Sequence, residues 1–200
     1  MRACFIFILS FNYFFIASQN KRTTSCYEKK WALLHPVAAL KANKIYKKCL
    51  LLYDEIKKEN ILDEFESGGK LDAFQHIFFM SAFTQKIKIR KIRKLGRAHE
   101  KGNYKHFLKN REEHSELPDS LSSVMDLFNN EVGFKLGSEN KKLNLKELKL
   151  LVVAELKKGC GLYFKRNAKK QYVNCIDEII LKENYLKKWF VPKCLVKTSM

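Results

Sequence analysis

Proline and glycine are scarce in this sequence, at 3 and 8 of 200 residues. With 46% hydrophobic content, that scarcity excludes disordered, collagen-like and linker-dominated chains. It also speaks against an all-β domain, which needs turn residues about every ten positions. No two of the six cysteines (4, 26, 49, 160, 175 and 194) show the two-residue spacing of a zinc knuckle or a thioredoxin-type site. The His-Glu-x-x-His pattern of metalloproteases is missing. No apolar run reaches the ~20 residues of a membrane-spanning helix. Acidic residues are in short supply, 21 against 39 basic ones, for a net charge of +18. That excess suits an anionic partner, nucleic acid or membrane surface, without choosing between them.

The first residues stand apart from the rest. Arg2 is followed by the apolar run Phe5–Ala17, interrupted by Ser10 and Asn12, and then by small residues and Lys21-Arg22. A basic start, a short apolar stretch and small residues at the cut are the layout of a secretory signal. Residues 1–18 are therefore expected to be removed near Ser18, with Arg2 the one charge lost and the mature chain exported to the periplasm, cell envelope or medium. A lipoprotein anchor at Cys26 fits less well, because Thr23-Thr24-Ser25 supplies no apolar residue. A buried N-terminal helix is the structural alternative. In an oxidising compartment Cys160, Cys175 and Cys194 would pair among themselves, leaving one over. Cys49 falls on an apolar helical stripe and reads as core.

The mature chain reads as mainly α. After an N-terminal segment, 19–34, a helical core spans 35–161 and a C-terminal extension spans 162–200, together one bundle-like domain. Pro36 suits a first helical position, and Ala38, Ala42, Ile45, Cys49, Leu52 and Ile56 step by 4 and 3 along one helix face. A second helix follows Gly68-Gly69 and runs from about 71 to 83. Its Phe74–Phe83 stretch is apolar on every side, the mark of a helix surrounded by others. A basic segment, 84–96, and a short one, 123–132, come next. A helix after Asn144 points Leu145, Leu148, Val152 and Leu156 inward and stops at Gly159. Leu162–Phe164 and Tyr172-Val173 suit a terminal β-hairpin, and 176–186 a helix.

Polar residues interrupt this pattern where burial is expected. Asp72 and His76 lie four apart on the most apolar helix, one above the other. There each costs several kcal/mol unless partnered by a metal, a catalytic role or a mutual hydrogen bond. His99-Glu100 follow the basic segment. Neighbours on a helix point about 100° apart, so at most one is expected to aim at a given site. Asp126, Asn129, Asn130 and Gly133 share a helix face beside a stripe of Met125, Phe128 and Val132. Each group also has a structural reading. Asp72 can cap a helix start, with His76 a core histidine satisfied by it. Asp126 follows Ser123 at capping-box spacing, Asn129-Asn130 suit a fraying end, and Glu100 a solvated charge.

Three blocks in order, Gly69-Lys70-Leu71-Asp72-Ala73-Phe74-Gln75-His76, Ala98-His99-Glu100 and Met125-Asp126-Leu127-Phe128-Asn129-Asn130-Glu131-Val132-Gly133, resemble a bacterial helical domain family of unknown function. Its marks are G-x-x-D-A-[FQ]-[RQ]-H, [AG]-H-E and M-D-x-x-N-N-x-x-G. The resemblance covers about 35–137 and points to exported and toxin-like proteins. It implies functional positions at Asp72, His76, His99, Glu100, Asp126, Asn129 and Asn130. Gln75 stands where the family commonly has arginine, which weakens anion binding at that position.

Three functional readings follow. In the first, Asp72, His76, His99 and Asp126 hold a divalent metal such as zinc, as helical bundles assemble mixed N/O sites. Glu100 is then the general base, and Asn129 or Asn130 holds substrate or metal ligands in a hydrolase of phosphoester, lipid or amide bonds. In the second, Lys86, Lys88, Arg90, Lys91, Arg93, Lys94 and Arg97, seven cations with no acid among them, bind anionic lipid or a phosphate-bearing ligand. Nucleic acid fits less well, since no exposed aromatics accompany the run. In the third, the polar blocks are a buried hydrogen-bond network of a non-enzymatic module.

Overall fold

The structure, a computed structural model, describes residues 24–110 and 116–199. The expected signal segment and Cys4 lie outside these residues. Six helices fill most of the described chain: α1 (Cys26–Leu34), α2 (Pro36–Glu59), α3 (Lys70–Lys86), α4 (Ile89–Phe107), α5 (Ser120–Glu139) and α6 (Leu145–Lys157). A two-stranded antiparallel sheet, β1 (Leu162–Phe164) with β2 (Leu195–Lys197), closes the C-terminal end. The mainly α expectation holds. No described helix is long and apolar enough to cross a membrane.

Helix α3 is the hub, packed by α2, α4, α5, α6 and β1. This explains why Phe74, Ile77, Phe78 and Phe79 are buried around its whole circumference. The α2 stripe buries Ala38, Ala42, Cys49, Leu52 and Ile56, and α6 buries Leu148, Val152 and Leu156. Asn144 caps α6 in a reciprocal capping box with Glu147.

Several boundaries differ from expectation. Helix α1 was not foreseen; Ser25 and Glu28 form its capping box, and Trp31 anchors it by donating Nε1–H to the Lys91 carbonyl at 2.8 Å. The basic segment divides at Ile87-Lys88, with extended backbone at Ile87 ending α3. Helix α4 then runs on to Phe107, which places His99 and Glu100 in its interior. Helix α5 is capped by Asp119, which accepts from the Leu121 and Ser122 N–H groups, so it starts earlier and ends later than expected. Phe128, expected inside, is 43% exposed, whereas Asn129 is 0% exposed.

The C-terminal extension departs furthest. Strand β1 pairs with Leu195–Lys197, and Tyr172 and Val173 make only isolated bridges, to Arg166 and Ile179. The expected helix over 176–186 is reduced to a single 3-10 turn, Lys182–Tyr185. The reason is local: Asn174 Oδ1 accepts from the Ile176 and Glu178 N–H groups, and Asp177 sits at φ 65°. This turn chemistry competes with a helix. Cys175 and Cys194 form a disulfide, while Cys160 remains a free thiol.

Candidate metal centre

The turn before α3 positions the first pair, Asp72 and His76. Gly68 adopts φ +66°, which glycine reaches without a Cβ clash. Its N–H donates to Asp72 Oδ2 at 2.7 Å. The helix start itself is served from a distance. Asp63 accepts from the Lys70 N–H (2.6 Å) and the Leu71 N–H (3.1 Å). Asp72 Oδ1 is thereby directed one turn along the helix, 3.5 Å from His76 Nε2. Asp72 thus serves the turn before α3 with one oxygen and faces His76 with the other, while Asp63 takes the N–H groups of the helix start.

Across the α3–α5 contact, Asp126 Oδ1 lies 3.3 Å from the same His76 Nε2. On the far side of the ring, Nδ1 is 3.1 Å from Asn130 Oδ1. A carbonyl oxygen only accepts, so Nδ1 carries a proton, and Nε2 is the ring nitrogen that faces the two carboxylate oxygens. Three electron-rich atoms facing one another require a cation or a proton between them. The Asn130 contact is also the outer acceptor that orients metal-binding histidines.

Helix α4 brings the second group. His99 Nδ1 is 3.6 Å from Glu28 Oε1, and its Nε2 is 3.8 Å from Glu100 Oε1. Asn103 Nδ2 lies 3.3 Å from both His99 Nε2 and Glu100 Oε2. Contrary to the expectation for helix neighbours, His99 and Glu100 therefore serve one locus, because their side chains are long enough to converge. Glu100 is 7% exposed, and its Oε1 accepts no hydrogen bond among the described residues. Burial, with the charge of Asp126, pushes its carboxyl up to about 7, while His99, Ser123 and His76 pull the other way. The thiols of Cys49 and Cys160 offer nothing comparable: burial pushes Cys49 up to about 12 and Cys160 up to about 11, far from the thiolate form at neutral pH.

Donor atoms close enough to share one ion fall into two sets, Asp72–His76–Asp126 and His99–Glu100–Asp126, each within 4.8 Å internally. The four expected ligands thus fall into two triads that share Asp126 rather than one group, and Glu100 belongs to the second of them. The two rings stand 6.4 Å apart between centroids. Asn130 is at the site. Asn129 is not: its amide donates to the Leu162 carbonyl at 3.0 Å and accepts the Leu162 N–H at 2.9 Å. It stitches α5 to β1, the 100° turn between neighbours separating the two asparagines. Two positions escaped the sequence reading. Glu28 was signalled by Ser25-x-x-Glu28, a capping-box spacing, and Asn103 only by its four-residue step from His99.

The C-terminal extension braces this centre from behind. The Phe164 N–H donates to the Gly68 carbonyl at 2.9 Å. Arg166 donates to the Ser67 and Gly68 carbonyls, its guanidinium lying 3.7 Å from the Phe65 ring centroid and 4.1 Å from that of Tyr172. Lys86 at the end of α3, Lys88 just before α4, and Arg90, Lys94 and Arg97 on α4 are exposed, whereas Arg93 forms a bidentate pair with Glu131. Arg93, Gly96 and Arg97 line a small cavity of about 90 Å³ that reaches Asn130.

A family model described as a domain of unknown function (DUF6973) matches residues 29–160, well over half of the chain. No curated protein and no solved structure matches it.

Proposed function

The chain belongs to the family described as domain of unknown function DUF6973, and from the geometry of its polar centre we propose that it is a divalent-metal-dependent hydrolase. The observation that carries this reading is His76. Its Nδ1 is held by Asn130 and its Nε2 faces Asp72 and Asp126 at 3.5 and 3.3 Å. One imidazole and two carboxylates from two packed helices match a borderline cation such as zinc, with further positions left for water. Such an ion lowers the pKa of bound water and polarises a carbonyl or phosphoryl oxygen. Glu100, beside Asp126, would take the proton of an attacking water. The water oxygen bonds to the carbonyl carbon or phosphorus, the ester or amide bond breaks, and the proton passes to the leaving group. The exposed cations of α4 face an anionic headgroup or phosphate-bearing ligand. Export fits the Cys175–Cys194 disulfide.

A second reading has its own support. A doubly protonated His76 would also satisfy Asp72 and Asp126, and Asn103 bridges His99 and Glu100. The centre would then be a buried hydrogen-bond network in a non-enzymatic module. Turnover separates the two. The full chain is given chromogenic phosphodiester, acyl-ester and anilide substrates, with Zn²⁺ or with a chelator. The hydrolase reading expects turnover that the chelator abolishes and that His76→Ala lowers about 100-fold or more in kcat/KM. Chelator-insensitive hydrolysis, or equal rates in His76→Ala, would contradict it.

A further inference from the structure

The two triads have one member in common, and that sets how many ions the centre takes. Neither set contains both histidines; each has one imidazole and one carboxylate of its own, plus Asp126. The two halves are also built alike. His76 is held through Nδ1 by Asn130, and His99 faces Glu28 through its own Nδ1 at 3.6 Å. Each ring thus turns Nε2 toward a carboxylate, Asp72 and Asp126 for one and Glu100 for the other. An outer acceptor on the far nitrogen is the arrangement of a ligating histidine; His76 has it in Asn130 at 3.1 Å, and the Glu28 carboxylate stands 3.6 Å from the corresponding nitrogen of His99.

A second, independent observation points to the His99 half. Glu100 is 7% exposed and directs Oε1 into the cluster with no hydrogen bond to it among the described residues. Its other oxygen and His99 Nε2 share the Asn103 amide at 3.3 Å each. Two convergent acceptors sharing one amide at that distance mark the place of a displaceable positive group. Asp126 is the one residue within reach of both sets, and a carboxylate shared by two ions is the usual bridge in paired-metal sites, whose ions sit about 3.5–4 Å apart.

We infer that the centre binds two divalent cations, one on Asp72 and His76 and the other on His99 and Glu100, with the Asp126 carboxylate bridging them. This rests on the metal-binding reading above and moves Glu100 from proton acceptor to ligand. A paired site clamps both the attacking and the leaving oxygen of a displacement at phosphorus, which selects phosphoesters among the candidate substrates. The small cavity at Gly96, Arg97 and Asn130 lies beside it for the non-reacting part of such an anion.

The test uses Mn²⁺ as probe. The full chain is stripped with chelator, desalted and titrated with Mn²⁺, bound metal being counted by elemental analysis and its spin state read by electron paramagnetic resonance. The expected result is two Mn²⁺ per chain with an exchange-coupled spectrum, one ion with an isolated six-line signal in Glu100→Gln and in His76→Ala, and no coupled pair in Asp126→Asn. Circular dichroism shows that each variant is folded, and the wild-type spectrum alone decides if one is not. A single ion in the wild type, lost in His76→Ala and retained in Glu100→Gln, would overturn the pair and leave the one-metal reading standing. Two uncoupled ions would overturn the Asp126 bridge. No bound Mn²⁺ would overturn both readings.

Discussion

Asp72 divides its carboxylate between two tasks, and the division can be tested. Oδ2 accepts the Gly68 N–H and Oδ1 faces His76. Asparagine keeps an oxygen for Gly68 but loses the charge, whereas alanine loses both. Asp72→Asn should melt close to wild type and lose metal affinity. Asp72→Ala should lose the same affinity and a further ~1–2 kcal/mol of stability. Thermal denaturation beside metal titration checks this, and equal stability of the two variants would refute it. At this scale the sequence was informative where spacing alone decides, as with the i, i+4 pair Asp72–His76 and the shared face of Asp126 and Asn130. It was silent where long side chains bend toward one locus. Asp63 as the remote cap of α3, Glu28 behind His99 and the convergence of His99 with Glu100 all depend on tertiary placement that no local period encodes.

Between elements, the site depends on how closely α3 and α5 cross. Ser81 Oγ donates to the Gly133 carbonyl at 3.0 Å. A Cβ on Gly137 would lie 2.2 Å from the Ser81 carbonyl oxygen, and one on Gly133 2.6 Å from that of Ile77. The atoms in the way are backbone, so they yield only if the helices separate, which also carries Asp126 away from His76. Gly137→Ala should cost about 3 kcal/mol and weaken metal binding. A variant that melts with wild type would show that the crossing is not tight. This contact also explains why α5 was read as short and its asparagines as a fraying end. Its inward face consists of Met125, Asp126, Asn129, Asn130, Gly133, Phe134 and Gly137, so apolar periodicity fades where the helix is most buried. Helices α2 and α6 were legible because leucine, alanine and valine mark their buried faces.

Over the whole molecule, the family match ends at 160, while the support of the centre continues to Thr198, whose hydroxyl accepts from the Gly161 N–H and donates to the Leu156 carbonyl. The extension has little regular structure of its own. It is held by the disulfide, by the Arg166 stack and by Lys193, 2.8 Å from Asp119. Cys175 and Cys194 are 19 residues apart, and closing a loop of that length is worth about 3 kcal/mol. Reduction should lower the melting temperature accordingly and loosen the Gly68 turn that aims Asp72. An unchanged melt in reductant would detach the extension from the site. These long-range contacts are why β1 was legible in the sequence and its partner strand was not. The charge of +18 resolves into solvated helix exteriors and one exposed row on α4, so it says less of the chemistry than the buried acids and histidines do.

The central claim is that this buried cluster is a metal centre. Elemental analysis of the folded chain after equilibration with Zn²⁺ and removal of unbound metal tests it most directly, with His76→Ala and His99→Ala treated alike. Stoichiometric zinc in the wild type and less bound zinc in each variant, one ion of the pair remaining, is the predicted result. A folded wild type without zinc, or variants that retain its full complement, would contradict the account.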